Sequence, residues 1–298
     1  MSKIKNLNTL MVCLDLTEID RYLIEYASYL SQTLEMDKVI FFHAIQAYDL
    51  PDKSSKKFPD LETDLSTKIK AEINSVVSSH FKRKVNTDVI TRIEDEDAAN
   101  VIIDFTRKED VDLALIGQKY GEDRSGHYGH KIAAEALTDL MFIPEEPDLK
   151  LDKVLCAVDF SRDSEKAFRR ALDIAQSKNS TIICHYLYDS SKSYFPATTI
   201  RTKGVLDKKV HKRFRKFLKK FDLTPDDIEL RMRVNEEFKS QAEKLYEEAR
   251  SLEVDLLVVG AKGKTSVVTS LLGNVTESLR RMEKQMPVMI MKNVKTRK

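Results

Sequence analysis

Seven of the chain's eight glycines fall in two short stretches, four within 117–129 and three within 260–273. Each stretch follows an apolar run, VDLALIG (111–117) and VDLLVVG (254–260). Such clustering asks for a cause beyond ordinary turns. Glycine lets the backbone come close to a ligand, and a helix that begins just past such a loop aims unpaired N–H groups at an anion. In the second stretch, GAKGKTSVVTSLLGN, Gly260 and Gly263 shape the loop and Gly273 opens the next helix. Asn274 is expected to cap that helix, with Glu277 as its capping-box partner. The chemistry this arrangement predicts is phosphate binding. Lys262 and Lys264 could add charge, or could be two solvated loop lysines. Two better-known motifs fail on spacing. GAKGKT ends in Gly-Lys-Thr, but Walker A needs four residues between its glycines and this stretch has two. No G-x-G-x-x-G follows a first strand.

The glycine stretches occupy matching places in two copies of one plan. LMVCLDLTEIDRYLIEYASYLSQTL (10–34) resembles KVLCAVDFSRDSEKAFRRALDIAQS (153–177), and VIFFHAIQAYD (39–49) resembles TIICHYLYD (181–189), a histidine in each. The offset stays between 142 and 144 residues, the size of a domain rather than a solenoid unit. PEEPDLKLD (144–152) reads as a linker, which gives domains 1–147 and 148–298. Within each half, short apolar runs suited to buried parallel strands alternate with stretches of helical period. In the second half, strands are expected at KVLCAVDF, TIICHYLYD, IELRMRV, DLLVVG and PVMIMK. Helices are expected after Ser161 or Asp163, along Val210–Phe214–Phe217–Leu218–Phe221, over 241–252 and at VTESLRRME. This alternation predicts an α/β fold: two tandem, open, mostly parallel five-stranded sheets with helices on both faces, Rossmann-like. In such sheets ligands bind beyond the carboxyl ends of the strands, where the strand order reverses.

The pattern G-x2-G-x9-G followed by a polar residue, at Gly260, Gly263, Gly273 and Asn274, resembles the nucleotide-binding motif of the universal stress protein family. That family's last position is usually Ser or Thr. Asp159 at the end of the first strand, His185–Tyr186 on the second and NVTESL at the fourth helix agree with the same family. The resemblance spans both halves, and its motif is specific in the second. It implies a tandem universal stress protein whose second domain binds ATP, with Mg²⁺ brought in by the triphosphate. Asp159 would contact the adenosine. Ala157, Val158 and Tyr186 would line the adenine pocket, and Val259 and Gly260 would lie along the ribose. Gly263, Gly273, Asn274, Val275 and Thr276 would hold the phosphates, partly through backbone N–H groups. Without a ligand, Asp159 has a second role open to it as a helix cap, and Asn274 and Thr276 would stabilise a helix start. His185, inside an apolar strand, reads as a core histidine.

Asp15, His43, Ala44 and Gly117 keep the corresponding places in the first half, but Tyr120 stands where the second motif glycine belongs. Gly121, Gly126 and Gly129 follow at other spacings, His130 replaces the polar residue, and Glu122 and Asp123 oppose phosphate. This half reads as a degenerate copy. Its EDRSGHYGH loop, with His127 and His130, matches no strong zinc signature.

The remaining features narrow the function classes. A net charge of +2 gives no general field for nucleic acid or membrane, and no apolar stretch is long enough to span a bilayer. The N-terminus lacks a signal-peptide cleavage pattern. Cys13, Cys156 and Cys184, an odd set inside apolar runs, favour free thiols and a cytoplasmic setting. KKVHKRFRKFLKK (208–220) is a basic amphipathic helix. It reads chiefly as the solvated face of a sheet-packed helix, with an acidic protein as its best-suited partner and nucleic acid not expected. LMFIP (140–144) and PVMIM (287–291) read as edge strands, by family likeness dimer-forming, which suggests an intramolecular pseudo-dimer of the two halves or a homodimer. No general base aligned with a nucleophile is evident, so slow ATP hydrolysis is the most catalysis expected. The reading reached is an ATP-binding, cytoplasmic stress-response or regulatory protein with a protein partner of unknown kind. The alternatives are an adenine-nucleotide-using transferase or hydrolase, and a nucleotide-free scaffold.

Overall fold

The computed structural model describes residues 7–46, 59–82, 84–94, 96–118, 126–189, 200–235, 240–262, 273–282 and 285–292. The chain divides into two compact units, led by Met1–Leu149 and by Lys150–Met282 with Val288–Asn293. The first runs β1 (Thr9–Cys13), α1 (Ile19–Thr33), β2 (Lys38–Gln46), α2 (Pro59–His80), β3 (Asn86–Glu94), α3 (Ala98–Lys108), β4 (Leu113–Gln118), α4 (Gly126–Glu135), β5 (Asp139–Pro144). Its strands are parallel in the order β3-β2-β1-β4-β5. The second runs β6 (Lys153–Ala157), α5 (Arg162–Lys178), β7 (Thr181–Asp189), α6 (Ile200–Leu218) with a 3-10 turn at Lys219–Phe221, β8 (Glu229–Asn235), α7 (Gln241–Ser251), β9 (Leu256–Gly260), α8 (Asn274–Arg281) and β10 (Val288–Met291). Here the parallel order is β10-β9-β6-β7-β8.

The central strands are covered on both faces, and so they read as unbroken apolar runs. Val154, Leu155 and Cys156 of β6 and Leu256, Leu257 and Val258 of β9 are fully buried, as are Leu10, Met11 and Val12 of β1. The repeated Val-Asp pair has a structural cause in both units. Asp255 Oδ2 accepts the N–H groups of Asp152 and Lys153, both at 2.8 Å. Asp112 Oδ2 does the same for Asn8 at 2.8 Å and Thr9 at 3.0 Å. Each carboxylate thereby ties the start of a unit's fourth strand to the start of its first.

Caps mark the helix starts. Of the two candidates for α5, Ser161 is the cap, its Oγ accepting from Ser164 N at 3.2 Å. Ser240 and Glu243 form a reciprocal capping box on α7. The expectation for α8 needs correcting. Gly273, extended at φ −76° and ψ 154°, is the capping residue, and Asn274 is already helical. No side chain caps α8, and the Glu277 N–H bonds the Gly273 carbonyl at 2.9 Å.

Strand register corrects a second expectation. Cys13 pairs with Phe42, whereas its counterpart Ala157 pairs with His185. The place of His185 in the first unit is therefore held by Phe42, and His43 holds the place that Tyr186 has in the second. The two strand pairs begin in the same register, Thr9 with Lys38 and Lys153 with Thr181, but the histidine is the sixth residue of β2 and the fifth of β7, and one step along a strand turns a side chain to the other face. The contacts agree: Phe42 packs on Phe105 of α3 at 4.3 Å between ring centroids. His43 instead points Nδ1 at the Leu14 carbonyl, 2.9 Å away.

Candidate functional site: the carboxyl end of the second sheet

In the second unit β6, β7 and β8 follow one another to one side while β9 lies on the other side of β6. The strand order therefore reverses between β6 and β9, and the crevice at a topological switch opens beyond their carboxyl ends. Ala157, Val158 and Asp159 leave β6 there, and Val259 and Gly260 leave β9. Val158 and Val259 are buried, whereas Ala157, Asp159 and Gly260 are partly exposed. The start of α8 is tied to the same place: the Thr276 hydroxyl, 3% exposed, donates to the Gly260 carbonyl at 2.9 Å. Ala261 is a further link, its N–H donating to Met291 O and its carbonyl accepting from Gly273 N, both at 2.8 Å. Ten of the eleven expected site residues are thus placed at one end of the sheet. The eleventh, Gly263, lies outside the described residues, as does Lys264.

What each residue has left to offer follows from these bonds. The Gly273 N–H and the Thr276 hydroxyl are spent on backbone carbonyls. The N–H groups of Asn274, Val275 and Thr276 precede the first intrahelical bond of α8 and sit at its positive end, where an anion is favoured. Gly260 has a packing reason to be glycine. A Cβ there would lie 2.9 Å from the Asp163 carbonyl carbon and 3.0 Å from its Cβ. The close approach that this glycine permits is thus to the first turn of α5. Asp163 is 7% exposed, and its Oδ2 accepts from the Lys262 N–H at 3.2 Å. Burial raises its carboxyl above the ordinary range, offset by Lys166 and the Lys262 amide, with nearby Asp159 adding to the rise.

Asp159 does not cap α5; its Oδ1 accepts from Ser161 N at 2.9 Å, closing a tight turn. Phe160 within that turn has φ 61°, a left-handed conformation that a bulky residue adopts only when its surroundings impose it. Its ring stacks on Tyr186, with centroids 5.2 Å apart and planes 15° apart. The Arg213 guanidinium covers the Phe160 ring at 4.7 Å and donates to the Asp159 carbonyl at 3.0 Å. Sequence reasoning missed Phe160, Asp163 and Arg213. A signal for Arg213 did exist: it lies three residues after Val210 and four before Phe217, on the stripe that α6 turns to the sheet.

His185 points to the other face, near Glu248 of α7 and Arg233 of β8. It is 2% exposed, and among the described residues its buried Nε2 has no hydrogen-bond partner. Burial chiefly lowers its pKa to about 4; Glu248 opposes this and Arg233 adds to it. Glu248, itself buried, is held by Arg233 Nε at 2.9 Å. His185 is a neutral core residue outside the crevice.

In the first unit Asp15 is exposed and Leu16 repeats the left-handed turn at φ 61°. Gly117 again lies against the first helix, where a Cβ would come within 2.9 Å of Ile19 Cδ1. Gly129, the counterpart of Gly273 by offset, falls inside α4 instead of ahead of it. Tyr120, Gly121, Glu122 and Asp123 lie outside the described residues, as do the side chains of His127 and His130. Among the described residues no group of three or more His, Cys, Asp or Glu could hold a metal ion. No described helix is long and apolar enough to cross a membrane. All three cysteines are free, with Cys156 and Cys184 buried.

Residues 150–292 match the model of the universal stress protein family. Comparison with curated proteins finds no match. Among solved structures, a universal stress protein from Archaeoglobus fulgidus DSM 4304 superposes with a TM-score of 0.69, at 14% identity over 97% of this chain and 99% of its own. A functionally unknown protein from Pseudomonas aeruginosa PAO1 gives 0.66, at 12% identity over 97% and 93%. A universal stress protein solved in complex with cAMP is 27% identical over 47% of this chain and 96% of its own, with a TM-score of 0.34. Its second half, residues 150–292, is thus a domain of the universal stress protein family.

Proposed function

We propose that the second unit binds ATP at the β6–β9 crevice and that nucleotide occupancy regulates a protein partner in the cytoplasm. One observation carries the reading. Asp159, Gly260 and the start of α8 converge where the strand order reverses, held together by the Thr276–Gly260 and Gly273–Ala261 bonds. The residues suit a nucleotide in a particular way. Val158 and Val259, which are buried, would form an apolar floor, the partly exposed Ala157 and Tyr186 would flank the base, and the Asp159 carboxylate would meet the sugar. The phosphates would meet backbone N–H groups of Asn274, Val275 and Thr276, with Gly263 and the Lys262 side chain nearby in sequence. The Thr276 hydroxyl would act through Gly260 and not on phosphate. Mg²⁺ would arrive with the triphosphate. The buried free thiols suit a reducing compartment.

The test is to denature the intact purified protein and identify released nucleotide by mass spectrometry, then titrate the emptied protein with ATP. About one equivalent per chain, lost in Gly263→Val and in Asp159→Ala, is the expected result. Two equivalents would show that the first unit also binds. A protein that carries no nucleotide and takes none up would leave a scaffold role in its place.

A further inference from the structure

The 13 residues 208–220 hold eight lysines and arginines and no acid, leaving 42 basic against 48 acidic residues in the rest of the chain. A near-neutral total thus conceals one strongly positive element. On α6 and its terminal 3-10 turn the charges are sorted by face. Val210, Phe214, Phe217 and Leu218 are at most 3% exposed and pack on the sheet. Lys208, Lys209, Lys212, Arg215, Lys216, Lys219 and Lys220 are exposed. Lys220 pairs with Glu165. The other six have no acidic partner among the described residues, although a fold with this many carboxylates offers many. Lys208, Lys212 and Lys216 recur every four residues, about 6 Å apart along the axis.

Which anion this face fits follows from what it lacks. The apolar face of α6 is already buried, so the helix has nothing to insert into a bilayer. Protein interfaces are depleted of lysine and depend on aromatic or arginine anchors set in apolar pockets; the exposed face of 208–220 has one arginine, Arg215, and one imidazole, His211, and no Phe, Tyr, Trp or aliphatic residue around them. With His211 as the one exposed ring on this face, it lacks the succession of aromatic platforms on which single strands stack. It also holds no Asn, Gln, Ser or Thr to read base edges or the 2′-hydroxyls of duplex RNA. What remains is a rigid row of cations matched to a dense, regular row of phosphates. We propose that the exposed face of α6 is a sequence-independent docking surface for duplex DNA. This revises the expectation drawn from net charge alone, because counting residues cannot show that six cations share one face with no acidic partner among the described residues.

The test is fluorescence anisotropy with a labelled mixed-sequence DNA duplex, comparing wild type with two triple variants of equal charge change. Lys208→Glu/Lys212→Glu/Lys216→Glu alters the face; Lys70→Glu/Lys84→Glu/Lys108→Glu alters exposed lysines of the first unit. For four to six neutralised phosphates, wild-type affinity should fall about 10²- to 10³-fold from roughly 50 to 200 mM salt. The α6 variant should lose at least tenfold at low salt and flatten that slope, while the control changes less than about threefold. Thermal unfolding of both variants verifies that they fold. Equal losses in the two variants, no duplex binding at low salt, or a preference for poly-glutamate, anionic vesicles or duplex RNA would each overturn the proposal.

Discussion

At the scale of single residues, His185 and Gly260 make the sharpest predictions. The folded pKa of His185, about 4, lies below the ordinary value of 6.5. The unfolded chain then takes up a proton that the folded chain refuses. Stability is complete above pH 6.5 and declines as pH falls from there towards 4, by about 2 kcal/mol between pH 7 and pH 5. Urea titrations at the two pH values should show this, and His185→Phe should remove most of the difference, since Phe42 fills the same place in the first unit. Gly260→Ala sets a methyl against the Asp163 backbone, which cannot swing aside, and should cost about 1–3 kcal/mol. Gly117→Ala meets the flexible end of Ile19 and should cost less. Equal costs in denaturation would contradict this reading of the contacts. The glycine cluster was visible in the sequence, but the cause of Gly260 was not. Spacing reveals that a backbone must come close to something and does not reveal what.

At the scale of elements, the Val-Asp repeat predicts matched effects. Removing the acceptor in Asp255→Ala leaves two strand-end N–H groups without their partner and should cost about 1–2 kcal/mol. Asp112→Ala should cost about as much, and guanidinium titration of the two variants checks both. Thr276→Val keeps the volume but breaks the bond that holds α8 to β9. It should cost about 1 kcal/mol in the same titration and, on the proposed function, weaken ATP uptake, because the free N–H groups at the start of α8 are then no longer anchored. The strands were legible because buried parallel strands announce themselves as apolar runs. Helix starts were less so. Whether Gly273 or Asn274 caps α8 depends on one residue's ψ, and Arg213 was hidden among basic neighbours that point the other way. The Phe160–Tyr186–Arg213 stack joins three elements through a left-handed turn, and no local pattern encodes it.

At the scale of the whole molecule, on the proposed function, two units of one design carry unequal sites. ATP added to the intact protein should slow amide hydrogen exchange at 157–161, 186–187, 259–262 and 273–277 and leave the first unit's 13–17 and 116–118 unchanged. Protection at both sets would show two working sites. The inequality has a second source besides the glycines. The histidine stands one residue further along β2 than along β7. The two halves cannot, then, exchange segments at the points where their sequences look most alike. A recombinant joined at the aligned histidines would carry that offset through the rest of the strand, sending apolar side chains to the wrong layer and a histidine into the place of the tyrosine that stacks on Phe160. A chimera joined from His43 to Tyr186 should therefore unfold at a lower temperature than the parent chain, which calorimetry would show.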